Sequence, residues 1–138
     1  MRLGKGSGML GLTALAVIAS PFAQAQDLSL IHISMLVSTP LMLDAGGNAN
    51  AVWVFQIGSS LTTNASVSLA NGAQAKNVFW VPTAAATVGV GTTFYGTILA
   101  GGNVTGVTSS IINGRILAGA IGAGTVALQD TTVNVPAS

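Results

Sequence analysis

Between Phe94 and Leu128 the chain repeats itself. Gly96-Thr97-Ile98-Leu99-Ala100 returns as Gly114-Arg115-Ile116-Leu117-Ala118, eighteen residues on. A short valine strand follows each copy, Asn103-Val104-Thr105 and then Thr125-Val126-Ala127. A third strand follows in turn, Ser110-Ile111-Ile112 in one copy and Thr132-Val133-Asn134 in the other. Three short strands in a period of about 18 to 20 residues describe one coil of an all-β solenoid with three sides. A single coil cannot bury its own apolar face, so it must stack on copies of itself.

The preceding residues sort onto the same three sides. Val52–Ile57, Val78–Val81, Ile98–Ala100 and Ile116–Ala118 form side one. Their apolar residues run on without alternation, so both strand faces should be buried, one in the core and one under a cover. Sides two and three alternate and should have one wet face each. On side two, Leu61, Val88, Val104, Val126 and Leu128 are expected inside, with Ser60, Thr62, Thr87, Thr105 and Ala127 outside. On side three, Val67, Phe94, Ile111 and Val133 are expected inside, with Ser66, Ser68, Thr93, Ser110 and Thr132 outside. Asn71-Gly72 signals a tight turn, and Pro82 ends the strand before it.

Residues 1–25 read as a helical secretory signal peptide. Arg2 and Lys5 give a basic start, Met9 to Ala19 is apolar, and Ala23-Gln24-Ala25 is an A-x-A cleavage site. The apolar run is shorter than the ~20 residues a membrane span needs. The product is expected to be secreted after cleavage at Ala25, leaving two basic and three acidic residues. Residues 26–39 fit no repeat and read as an unassigned linker or junction. Residues 40–138 read as the solenoid domain.

The residue types available exclude most chemistry. With four Lys and Arg in all there is no basic patch for nucleic acid. Cysteine is absent, so thiolate metal sites and disulfides are impossible. Among the acids, Asp44 and Asp130 alone could serve as a hydrolytic carboxylate pair, and they fall in different parts of the repeat. The single histidine, His32, has no partners for a Ser-His-Asp arrangement. No enzyme, cofactor or metal is expected.

What the sequence does offer is a ladder of Thr and Ser on successive coils. Equivalent residues would stand ~4.8 Å apart, and threonine is stiff at χ1. A flat, uncharged lattice of hydroxyls and methyls of this kind can order water over itself in an ice-like pattern.

Three stretches carry a family resemblance. Asn50-Ala51-Val52-Trp53-Val54-Phe55-Gln56-Ile57-Gly58-Ser59-Ser60-Leu61-Thr62-Thr63 resembles a signature of the microbial ice-binding (antifreeze) protein family. So do Asn71-Gly72-Ala73-Gln74-Ala75-Lys76-Asn77-Val78-Phe79-Trp80 and Asn113-Gly114-Arg115-Ile116-Leu117-Ala118. The resemblance covers about residues 40–135 and is to the C-terminal half of that family. It implies an irregular right-handed β-helix of triangular section, with a long helix packed along one side. It also implies adsorption to the ice crystal surface, which inhibits ice growth or recrystallisation.

The family often shows a T-A/G-x-T-like pattern on its ice face. Its last position falls here on Ser66, Thr93, Ser110 and Thr132, all on side three, which Ser68 shares. These five residues are the implied ice-binding set. Val90, Val107 and Gln129 depart from the pattern at its first position, which lowers the expected potency. Lys76 stands where the family frequently has cysteine. Tyr95 and Ile112 are expected to project from side three and roughen it. The family's N-terminal half, with its first coils and long helix, has no counterpart in the few residues between Ala25 and Leu41. Residues 28–34 look like a translated adapter or a faulty join, so the chain reads as a truncated or chimeric gene product. Without the helix, side one is left uncovered and favours self-association. The competing readings are a cell-surface adhesive or structural module that binds polysaccharide or protein, and a nonfunctional fragment.

Overall fold

The computed structural model describes residues 34–137, together with the backbone of two N-terminal strands, 2–4 and 17–20. In chain order these strands are β1 (Arg2–Gly4) and β2 (Val17–Ser20). A first coil follows with β3 (Met35–Val37), β4 (Leu41–Asp44) and β5 (Val52–Ile57). The second coil is β6 (Leu61–Thr63), β7 (Val67–Ala70) and β8 (Val78–Pro82). The third is β9 (Ala86–Val88), β10 (Thr93–Tyr95) and β11 (Thr97–Leu99). The fourth is β12 (Val104–Gly106), β13 (Ile111–Asn113) and β14 (Ile116–Leu117). β15 (Val126–Leu128) and β16 (Thr132–Asn134) begin a fifth.

The strands stack into a three-sided β-solenoid. Side one is a five-stranded sheet ordered β14-β11-β8-β5-β2, and side two is another ordered β15-β12-β9-β6-β3. Side three is divided into two three-stranded sheets, β1-β4-β7 and β10-β13-β16. Every pairing is parallel except β2 with β5. Within the expected N-terminal helix, the described residues 2–4 and 17–20 are strands, so no helix is shown there; its other residues, like His32, lie outside the described residues. Among the described residues the helical content is one 3-10 turn, Ala75–Asn77, and none of them forms a long helix along side one.

Met35, Leu61, Ala86, Val104 and Val126 mark one register position on successive coils. The coils therefore advance by 26, 25, 18 and 22 residues. The eighteen-residue repeat is the tightest of them. The first two coils are longer mainly at the corner between sides three and one. Residues 45–51 and 71–77 loop out there, where the third coil turns on Gly96 alone. The two loops hold each other. Asn71 Nδ2 donates to both Asp44 carboxylate oxygens at 2.9 Å, and the Gly46 amide donates to Oδ1 at 2.8 Å. Gln74 Nε2 and Asn77 Nδ2 both donate to the Ala49 carbonyl. The Asn71-Gly72 turn forms as expected, both residues having positive φ (50° and 89°).

Alternation within side one puts Trp53, Phe55, Ile57, Val78 and Trp80 inside. Phe55 stacks on Trp80 with ring centroids 3.9 Å apart, and Phe94 tilts against Trp80 at 5.0 Å. The outer face of side one carries Val52, Val54, Phe79, Val81 and Leu99, all half-buried. Burial of both faces, expected from the unbroken apolar runs, is thus incomplete. Leu117, the last residue on this outer face, is 47% exposed. On side two, Leu61, Val88 and Val104 are buried as expected. Val126 and Leu128 also hold inward register positions, yet they are 44% and 43% exposed, since among the described residues β15 is paired on one edge alone.

Candidate functional site

Side three presents two outward columns. Parallel pairing sets Thr93 beside Ile111 and Ile111 beside Thr132, then Tyr95 beside Asn113 and Asn113 beside Asn134. Above them, Met42 pairs with Ser68. Between the columns, Phe94 and Ile112 are buried and Val133 is half-buried.

Of the five expected face residues, Ser68 and Thr93 are half-buried and point outward, and Thr132 is exposed. Ser66 is half-buried, but its hydroxyl is engaged. Its Oγ accepts the Thr93 amide at 3.0 Å, across the gap where β7 and β10 form no ladder. Ser66 is therefore a stitch between the two halves of side three.

Ser110 is a correction. It is 1% exposed, and its hydroxyl lies 3.0 Å from Thr131 Oγ1. The outward position belongs to Ile111, at 38% exposure, and the core position to Ile112. The expected inward Ile111 and projecting Ile112 are exchanged, because a slip of one residue turns every side chain to the opposite face. The cause is the turn before β13. Ser109 adopts φ 60°, and the Ser110 amide donates back to the Val107 carbonyl at 3.1 Å, tucking Ser110 under the corner. Two adjacent isoleucines fit either register equally well, so hydropathy held no signal to choose.

Asn113 and Asn134 share this face and were missed in the sequence. Asn134 Nδ2 donates to Asn113 Oδ1 at 2.9 Å, one step of a side-chain ladder along the solenoid. The asparagine that ends each third strand, one before Gly114 and one before Val135, was the available hint.

The outward positions of β7, β10, β13 and β16 carry no formal charge. Asp44, at the end of β4, is buried and clamped by Asn71 and Gly46. Among the described residues no three His, Cys, Asp or Glu come together as a metal could require. Asp44 lies in the first coil and Asp130 in the last, far from a shared hydrolytic site. Side two has an outward row of its own: Leu36, Thr62, Thr87, Thr105 and Ala127 in continuous register.

Comparison with known proteins fits this architecture. A family profile described as Ice-binding-like matches residues 29–134. An ice-binding protein of Flavobacterium frigoris (strain PS1) is 36% identical over 102 residues, spanning 72% of this chain and 36% of that protein. One from Leucosporidium sp. (strain AY30) is 43% identical, spanning 72% of this chain and 38% of that protein. The chain thus spans little more than a third of the length of these two relatives. The crystal structure of an ice-binding protein from the Antarctic ascomycete Antarctomyces psychrotrophicus superposes with a TM-score of 0.66 and 34% identity. That superposition covers 77% of this chain and 50% of the ascomycete protein. An ice-binding protein from an Antarctic biological consortium superposes with a TM-score of 0.68 at 34% identity, over 74% of this chain and 46% of that one. Repeat, solenoid and relatives agree, and the chain belongs to the Ice-binding-like family.

Proposed function

We propose that this chain is a non-enzymatic ice-binding protein that adsorbs to ice through side three. The observation that carries the reading is the register of Thr93, Ile111 and Thr132 on three hydrogen-bonded strands. The parallel ladder sets their spacing at ~4.8 Å. All three are β-branched, so their methyls and hydroxyls keep fixed positions. Ser68 continues the uncharged face above the seam, and Asn113 and Asn134 run beside it. No charge stands at the outward positions of β10, β13 and β16 to compete for the first water layer. Membership of the family and the ice-binding relatives support the same partner. The basic and apolar start, with its A-x-A site at Ala23 to Ala25, supports export of the product. The half-buried outer face of side one is a surface through which the exported chain would self-associate.

The test is ice recrystallisation inhibition by the full chain beside a Thr93→Tyr/Thr132→Tyr variant, with circular dichroism on both. The parent is expected to inhibit. The variant is expected to stay folded and lose most of the activity, because two phenol rings lift ice off the face. A folded but inert parent would sink the ice reading and favour an adhesive module.

A further inference from the structure

The chain contains two Asn-Gly pairs, Asn71-Gly72 and Asn113-Gly114. Asparagine followed by glycine can modify itself. Glycine has no Cβ to shield its backbone nitrogen, so that nitrogen can approach and attack the side-chain amide carbon of the asparagine before it. The new C–N bond closes a five-membered succinimide. The amide nitrogen takes up the proton that glycine loses and leaves as ammonia. Water then opens the ring, at one carbonyl to give aspartate and at the other to give its β-linked isomer. Water is the one co-reactant, and nothing is oxidised or reduced.

The fold treats the two pairs differently. Asn113 ends β13 and is half-buried, and its Oδ1 accepts the Asn134 side-chain amide. Gly114 is buried, and its backbone N–H donates to the Asn134 carbonyl at 2.9 Å. Both reacting groups of this pair are thus held between stacked coils. Asn71 and Gly72 are both exposed, in a turn where both have positive φ. The Gly72 amide donates to no acceptor among the described residues. Its nitrogen is free to attack. The restraint on this pair comes from Asp44, whose two carboxylate oxygens each accept Asn71 Nδ2 at 2.9 Å. That grip fixes the side-chain torsions which ring closure must turn.

We propose that Asn71 is the deamidation site of the folded chain, and that Asp44 is the catch that sets its rate. Ring closure requires the Asn71 amide to leave Asp44. Once ammonia has gone, a carboxylate at position 71 faces Asp44, and attraction between amide and carboxylate becomes repulsion between like charges. The bond between the loops 45–51 and 71–77 is then lost irreversibly, and the corner between sides three and one loosens. The modification does not depend on the ice reading.

Peptide mapping by mass spectrometry tests it, on the full chain held in warm, mildly alkaline buffer, with the urea-unfolded chain alongside. In the unfolded chain both pairs should convert at similar rates. In the folded chain Asn71 should convert, and Asn113 should lag by about tenfold or more, the weight of the hydrogen bond that Gly114 must give up. Asp44→Asn should hasten conversion at Asn71 and leave Asn113 unchanged. Asn71→Asp, which makes the product directly, should unfold at a lower temperature than the parent. Equal conversion of the two asparagines in the folded chain overturns the proposal, as does a folded chain in which Asn71 stays intact. That comparison decides the site even if Asp44→Asn fails to fold. An unchanged rate at Asn71 in folded Asp44→Asn refutes the role of Asp44, and an Asn71→Asp chain as stable as the parent refutes the loosening.

Discussion

Two tryptophans on adjacent strands show how differently one residue type can be held. Trp80 is buried, stacks on Phe55, and donates its indole N–H to the Tyr95 carbonyl at 2.9 Å. Trp53 is equally buried, yet its indole N–H finds no acceptor among the described residues. Trp80→Phe removes a donor and strands a carbonyl. Trp53→Phe removes a donor that already lacked a partner. The Trp80 change is expected to cost more, by about 1–3 kcal/mol, as read from urea midpoints of both variants. Gly114 is constrained in another way. A Cβ there would collide with the Gly96 carbonyl oxygen, because the two copies of the repeat stack backbone on backbone. Gly96 itself has φ 123°. Gly114→Ala must push the coils apart and should destabilise by ~1–3 kcal/mol, as overpacking does, seen as a lowered thermal midpoint.

The element that most limits the face is the seam in side three. Sides one and two each run through five strands, whereas side three breaks between β7 and β10. The loops at 45–51 and 71–77 lengthen the upper coils, and the tight coils begin below them. Ser66 Oγ replaces one missing ladder bond by accepting the Thr93 amide. Ser66→Ala is expected to destabilise by about 1 kcal/mol, the net worth of a typical hydrogen bond. Amide exchange should accelerate at Thr93 and change little at Phe94. Unchanged protection at Thr93 would show that the seam is held by packing alone.

At the scale of the molecule, three sides compete for the surface role. Side one is apolar outside, side two carries a threonine row, and side three carries the mixed columns of threonine, isoleucine and asparagine. Placing one charge on each wet side separates them. Ile111→Lys is expected to remove ice recrystallisation inhibition, whereas Thr87→Lys, at a half-buried outward position on side two, leaves most of it. The reverse result would move the ice face to side two. Both substitutions are outward, so circular dichroism should show parent-like folds.

The repeat of Gly96–Ala100 in Gly114–Ala118 was enough to mark the coil and its three sides, but not the first strand of side two, because β3 (Met35–Val37) fell in the stretch expected to be an unassigned linker. Period and alternation are properties of the chain itself, and parallel stacking satisfies them in one way. The inward residues of side two and of β10 follow from alternation wherever apolar and polar residues take turns, whereas along the unbroken apolar runs of β5 and β8 only the fold settled which residues face the core. Alternation is silent at Ile111-Ile112, where both residues are apolar. There the register came from the Ser109 turn, a tertiary fit against the coils on either side. The engaged hydroxyl of Ser66 was equally hidden, because a serine on an exposed strand looks the same whether it faces water or a neighbouring amide. The openness of Val126 and Leu128 was also beyond the sequence. Hydropathy marks them as core, and only the stacked structure shows them 44% and 43% exposed.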